Sequence, residues 1–283
     1  MRIRRITGGV LIHAFLIAVA IFAVFPIIFV ITGAFKTNSE LLTKPELLFP
    51  TEWYVGNFIK AWNSDSLNVG RMLLNSILYT AANVVIVLTT STMAGYTFAR
   101  GKFKFKKQIF SAFVSLMFIS VGSITIYPQF EILNLLHLNK GLPALLVMQF
   151  FGVPVANIFL VRNYVSTIPF TIDEAAKIDG CGFIGIFIKI IAPLLKPLFA
   201  TLGILAFQSS WNDYLLPNIF TLTVPEQRTL IVGIMALKNS EGGGADWALM
   251  FSASALALAP VLLAYMFANR YFVEGIANGA VKG

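Results

Sequence analysis

Apolar residues arrive in long blocks along this chain, separated by short polar clusters. Residues 10–31 form the clearest block, with one histidine, one proline and no full charge. A helix that crosses the hydrocarbon core of a bilayer needs about 20 such residues. Blocks of similar length follow at 73–93, 110–130, 142–160, 198–216 and 247–267. The pattern predicts an all-α membrane protein of about six transmembrane helices. Block 198–216 is the most interrupted, by Gln208, Ser209, Ser210, Asn212 and Asp213.

Composition sharpens this reading. Of the 283 residues, 57% are hydrophobic and 12% charged, where a soluble domain carries about 25% charged residues. A soluble globule could not hide so much apolar surface, so lipid is the expected solvent. Arg2, Arg4 and Arg5 resemble a basic leader. The block that follows them is too long for a signal core, and Lys36-Thr37-Asn38-Ser39 lacks a small-x-small cleavage pattern. The first block is therefore expected to stay as a true span.

The formal charge is +8. With the N-terminus inside, 14 bases and 4 acids fall on the cytoplasmic side, against 7 bases and 9 acids outside. Lys and Arg in short loops stay cytoplasmic. Both termini are thus expected to be cytoplasmic, in a bacterial-type inner or plasma membrane. Orientation and anionic lipid account for the basic excess, and no nucleic-acid partner is needed. The organisation expected is a first helix with an outer polar segment over 1–70, then a transmembrane core over 71–283. That core holds a cytoplasmic loop at 161–197 and a cytoplasmic tail at 269–283.

Several chemistries are excluded. Cys181 is the single cysteine, and His13 and His137 have no ligand spacing, so no disulfide or metal site is expected. Gly101-Lys102 is followed by Phe103, so the phosphate-cradling Gly-x4-Gly-Lys-Ser/Thr loop is absent. No nucleophile or acid–base set stands out. The chain is not expected to be an enzyme, and no catalytic residue or bound cofactor is assigned.

Loop 161–197 carries the strongest local signal. Thr171 and Glu174 have capping-box spacing. Asp173 adds negative charge at the positive end of a helix dipole. Ala175 and Ala176 favour helix, and Gly180 suits a C-terminal cap. A short helix is expected over 172–179, then a second over 181–191, with Pro193 and Pro197 before the fifth block. A stiff, capped helix with small residues suits close docking by another protein. The outer stretch 221–246 contains Gly242, Gly243 and Gly244, which favour a mobile loop. At span depth, polar side chains face a cavity or another helix. Asn75, Ser76, Asn83, Gln208, Ser209, Asn212 and Asp213, with Trp211 and Tyr214, either line a solute path or hydrogen-bond between helices.

The run Glu174-Ala175-Ala176-Lys177-Ile178-Asp179-Gly180, then Ile190 and Pro193, resembles the EAA signature of binding-protein-dependent ABC importer permeases. Ala192 stands where that signature has leucine. Trp211-Asn212-Asp213-Tyr214 and the tail ending Gly279-Ala280-Val281-Lys282-Gly283 are similar to the carbohydrate-uptake, maltose-permease-like class. The likeness covers roughly residues 71–283. It implies a type I importer transmembrane domain in which Thr171, Asp173, Glu174, Ala175, Ala176, Asp179, Gly180 and Pro193 couple to an ATPase. Gly275, Gly279, Lys282 and Gly283 would reach the same ATPase. It also implies a second homologous permease subunit, a dimer of cytoplasmic ATP-binding subunits holding ATP and Mg, and an external solute-binding protein approached by Gly242, Gly243 and Gly244. The implied cargo is a sugar or oligosaccharide. A non-sugar ABC permease for a peptide, amino acid or phosphate compound is the nearest alternative. A stand-alone secondary transporter would show paired charges deep in the spans and related halves, which this chain lacks. A membrane scaffold would lack the tight loop.

Overall fold

The structure, a computed structural model, describes residues 2–63, 68–119, 122–138, 140–238 and 246–280, with backbone alone for 2–11, 123 and 267–280. The described residues are helical and include no strand. The helices run α1 (Arg2–Gly33), α2 (Asn38–Thr43), α3 (Gly56–Asn63), α4 (Val69–Arg100), α5 (Lys106–Leu116), α6 (Ile126–Leu135), α7 (Gly141–Phe151) and α8 (Val155–Thr167). They continue as α9 (Phe170–Ile178), α10 (Phe183–Ile186), α11 (Ala192–Leu194), α12 (Lys196–Trp211), α13 (Leu215–Phe220), α14 (Leu230–Lys238) and α15 (Trp247–Ala280).

Among the described residues, three stretches are long and apolar enough to cross a membrane: Ile12–Gly33, Val69–Arg100 and Trp247–Met266. They cover the second block and nearly all of the first and sixth blocks of the sequence. Two more candidates are bent pairs. Gly141–Phe151 and Val155–Thr167 meet at 44°, and Phe183–Leu194 meets Lys196–Trp211 at 80°. Pro154, immediately before α8, has no N–H to continue the first helix of the 44° pair. The third block is not one helix. α5 stops at Leu116, and helical backbone resumes with a 3-10 turn at Gly122–Thr125 before α6. Gly122 has φ 57, a left-handed value that continuous α-helix forbids. The fifth block is cut after Trp211, where Asn212, Asp213 and Tyr214 separate α12 from α13.

The chain divides into two compact units, Met1–Arg71 with Gly233–Pro260, and Met72–Val232 with Val261–Gly283. In the first, the segment after α1 is tied down by buried polar groups. Asn57 donates to the carbonyls of Ala34 (2.9 Å) and Lys36 (2.8 Å). The buried Lys36 ammonium donates to the Leu47 carbonyl. Glu40 accepts from the Thr51 amide at 2.7 Å.

Two apolar cores stand out among the described residues of the second unit. One gathers Tyr79, Leu133, Leu142, Ala144, Leu145 and Phe220. The other gathers Tyr96, Val161, Val165, Ala176, Ile186, Ile191, Leu195 and Leu202, from α4, α8, α9, α10, α12 and the turns between them. Gly95 lets α4 and α8 touch, since a Cβ there would stand 2.5 Å from Val161. This second core is the floor on which α9 rests.

Candidate functional site

α9 begins at Phe170, with Pro169 as the residue before it (φ −56°, ψ 135°). This corrects the expected capping box. Thr171 lies inside the helix, and no side chain caps its N-terminus. Pro169 fixes its own φ and pre-sets an extended residue just ahead of the first turn, so the start falls before Thr171 can act as a cap. At the other end Gly180 sits at φ 82. Its amide donates to Lys177 O (3.0 Å), and the Cys181 amide donates to Ala176 O (2.9 Å). That pair of bonds is a Schellman closure, which needs the left-handed residue glycine supplies. Beyond it, α10 runs into a π turn over Phe187–Ile191, in which the Ala192 amide donates to Phe187 O.

The helix has two unlike faces. Asp173 and Ala176 are buried. Asp173 Oδ2 lies 3.0 Å from Arg100 Nε, with the two side chains 3% and 9% exposed. The contact is electrostatic, without the alignment of a hydrogen bond between those atoms. Arg100 Nη2 also donates to Ile168 O at 2.7 Å. Phe170 is flanked by two cations, Arg100 at 5.3 Å and Lys177 at 5.2 Å from its ring centre. Tyr96, one turn before Arg100, donates its hydroxyl to Phe183 O at 3.2 Å and packs on the rings of Phe183 and Phe187. The end of α4 therefore grips both α9 and α10.

The opposite face is open. Thr171, Glu174, Ala175 and Asp179 are exposed. Ile178 is 88% exposed, and Ile184 and Ile188 on the following turns are also uncovered. An apolar strip beside the Glu174 and Asp179 carboxylates, on a helix fixed from behind, is a shape for binding another protein. Pro193 lies in α11, at the junction toward α12. In the sequence Asp173 reads as a charge at the helix start and, through the resemblance, as an ATPase-coupling residue, whereas its side chain is turned inward onto Arg100. Their pairing spans 73 positions, and no local spacing announces it.

The polar candidates for a solute path do not converge. Asn75 donates to the carbonyls of Glu226 (2.9 Å) and Arg228 (3.0 Å), and Ser76 accepts from the Leu230 amide (2.8 Å). Asn83 is buried and donates to Ser210 Oγ. Trp211 is buried and stacks on Phe207, with centroids 5.6 Å apart. Gln208 and Asn212 are exposed, and Asn212 donates to Gln208 O at 2.9 Å. Asp213, half-buried, lies beside the Tyr79 hydroxyl and accepts from the Leu216 amide at 3.4 Å, while Tyr214 is half-buried before α13. Asn83 thus joins α4 to α12, while Asn75 ties α4 to the turn and loop before α14. Gly275 and Gly279 lie in the backbone of α15. Gly242, Gly243, Gly244, Lys282 and Gly283 lie outside the described residues. Among the described residues no group of three His, Cys, Asp or Glu could hold a metal ion.

Known proteins resemble this chain over nearly its whole length. The arabinooligosaccharides transport system permease protein of Bacillus subtilis (strain 168) is 31% identical over 271 residues, covering 95% of this chain and 94% of the relative. The maltodextrin transport system permease protein of the same organism is 28% identical over 290 residues, covering 99% and 98%. A solved bacterial ABC transporter involved in the import of the acidic polysaccharide alginate contains a chain of the same fold. The TM-score is 0.77 at 23% identity, covering 96% of this chain and 97% of that one. The resemblance read from Glu174 to Pro193 is borne out, because residues 91–278 match a family that contains that whole stretch. The chain belongs to the family of binding-protein-dependent transport system inner membrane components.

Proposed function

We propose that this chain is the permease subunit of an ABC importer and forms half of the path by which a sugar or oligosaccharide enters the cell. The observation that carries the reading is α9, held from behind by the buried Arg100–Asp173 pair with Glu174, Ala175 and Ile178 facing out. In this reading α9 is the coupling helix. It seats in a groove of a cytoplasmic ATP-binding subunit, where ATP and Mg are bound and hydrolysed. Glu174 meets a base of that subunit. The partner ATPase moves α9, and α4 carries the motion into the membrane through Arg100 and Tyr96. A second, homologous permease subunit completes the path, and an external binding protein delivers the solute near Gly242–Gly244. Six spans with both termini inside fit this role, counting each bent pair as one span and the stretch from α5 to α6 as another. The similarity to permeases named for arabinooligosaccharide and maltodextrin transport supports a carbohydrate cargo.

The test is co-purification with uptake. A tagged wild-type chain, expressed with its genomic neighbours, should bring down an ATP-binding subunit. Glu174→Lys should lose that subunit and abolish accumulation of labelled oligosaccharide, while the chain stays in the membrane fraction. Retention of the ATPase at wild-type stoichiometry would overturn the role given to α9. A labelled panel of oligosaccharides, peptides and phosphate compounds tests the cargo separately.

A further inference from the structure

A cavity of about 390 Å³ opens in the second unit, and neither α9 nor the polar span residues contribute to its lining. Phe98, Lys106, Lys107, Phe110, Ser111, Val114, Phe159 and Arg162 line it, from α4, α5 and α8. Three of the eight side chains are cations, and none is a carboxylate. The charges share one end. Lys106 and Lys107 occupy the first turn of α5, and Arg162 stands beside them with its guanidinium 4.7 Å from the Phe110 ring centre. One turn further along α5 come Phe110 and Ser111, and one turn beyond them Val114. Phe159, one turn before Arg162 on α8, stacks on Phe110 with centroids 6.3 Å apart. Phe98 closes the back wall and touches Phe110 and Phe113. The cavity is thus graded, cationic at the start of α5 and aromatic further along that helix.

The cations are not consumed by neighbouring acids. The nearby carboxylate of Asp173 is already paired with Arg100. Lys106 spends its ammonium on the carbonyls of Ala99 (3.1 Å) and Gly101 (2.9 Å). Arg162 and Arg100 stand close enough to repel that ammonium. Such a cluster is improved by an incoming anion. The backbone aims it there at a cost: Phe105, just before α5, adopts φ 60, an outlier for a bulky residue.

We propose that this cavity is a binding site for an anionic phospholipid. The headgroup phosphate lies among Lys106, Lys107 and Arg162, and an acyl chain lies along Phe110, Phe159 and Val114. A basic pocket between membrane helices at an interface is suited to an acidic headgroup. The graded lining commits the site to an amphiphile, since a free anion would leave the aromatic half unused. The inference needs only that the chain is an inner membrane component, and holds whichever solute is carried.

The assembly, purified in detergent and stripped of lipid, is titrated with dioleoylphosphatidylglycerol, with dioleoylphosphatidylcholine, and with glycerol 3-phosphate. Thermal stability and lipid retained in native mass spectrometry are the readouts. Phosphatidylglycerol should raise the midpoint and remain bound, while the other two should do neither. Lys107→Gln, at an exposed side chain, should weaken retention several-fold. Lys106→Gln with Lys107→Gln should abolish it. Val114→Trp, which fills the apolar end and keeps all three cations, should abolish it too. Equal response to both lipids would overturn the proposal, as would a response to glycerol 3-phosphate as large as to phosphatidylglycerol. Undiminished retention in Lys107→Gln would also overturn it, and decides the matter if the double variant fails to assemble.

Discussion

Arg100 and Asp173 are too buried for either to stand alone. Removing one member of a buried ion pair costs about 3–5 kcal/mol, because the other charge is stranded. Asp173→Ala should therefore lower the thermal midpoint of the purified assembly sharply. Arg100→Leu combined with Asp173→Leu should recover most of that loss, as apolar replacements of both partners commonly do. If the double variant is stable but transports nothing, the pair matters for transmission rather than for folding. Gly95 makes a second residue-scale prediction. Gly95→Ala places a Cβ 2.5 Å from Val161 and 3.1 Å from the Arg162 amide nitrogen. Overpacking of this kind costs about 1–3 kcal/mol, which thermal size-exclusion measurements would register. Residues differ in how far their roles could be read without coordinates. Glu174 and Gly180 stand in a spaced local pattern. Asp173, beside them, has its partner on α4, and only tertiary structure supplies that distance. Lys106, Lys107 and Arg162 carried a topology signal in sequence, but their shared cavity depends on α5 and α8 lying side by side.

Elements were legible where one residue type dominated and blurred where two signals competed. Block 10–31 is apolar but for His13, and α1 contains it. Block 110–130 is also apolar, yet Gly122 at φ 57 and the turn after it divide it. Hydropathy measures affinity for lipid and says nothing of where the backbone breaks. At α9 the expected start, capped by Thr171, met a stronger constraint in Pro169. The end at Gly180 met no competitor. Nothing lies within 4 Å of a Cβ built at Gly180, so the cost of Gly180→Ala is purely conformational, about 1–2 kcal/mol for an L-residue in the left-handed region. Gly180→Asn should cost less, because asparagine tolerates that region. Limited proteolysis between α9 and α10 would rank the three as glycine, asparagine, alanine in order of rising cleavage.

For the molecule as a whole, the distribution of bases predicts which way the chain faces. The lone Cys181 follows Gly180 at the end of α9 and is partly exposed. A membrane-impermeant maleimide should label it in inside-out vesicles and leave it unlabelled in intact cells. Labelling from outside the cell would reverse the orientation and remove α9 from reach of any cytoplasmic ATPase. α4 is a single rod of 32 residues, about 48 Å long at 1.5 Å per residue. Near its start, Asn75 and Ser76 hold the backbone of Glu226, Arg228 and Leu230. At its finish, Tyr96 and Arg100 hold α9 and α10. A straight lever pivoting at its midpoint through roughly 10° swings each tip by about 4 Å, in opposite directions. A nudge given to α9 would thus reappear, mirrored and undiminished, at the far rim, with no chemical messenger passing between.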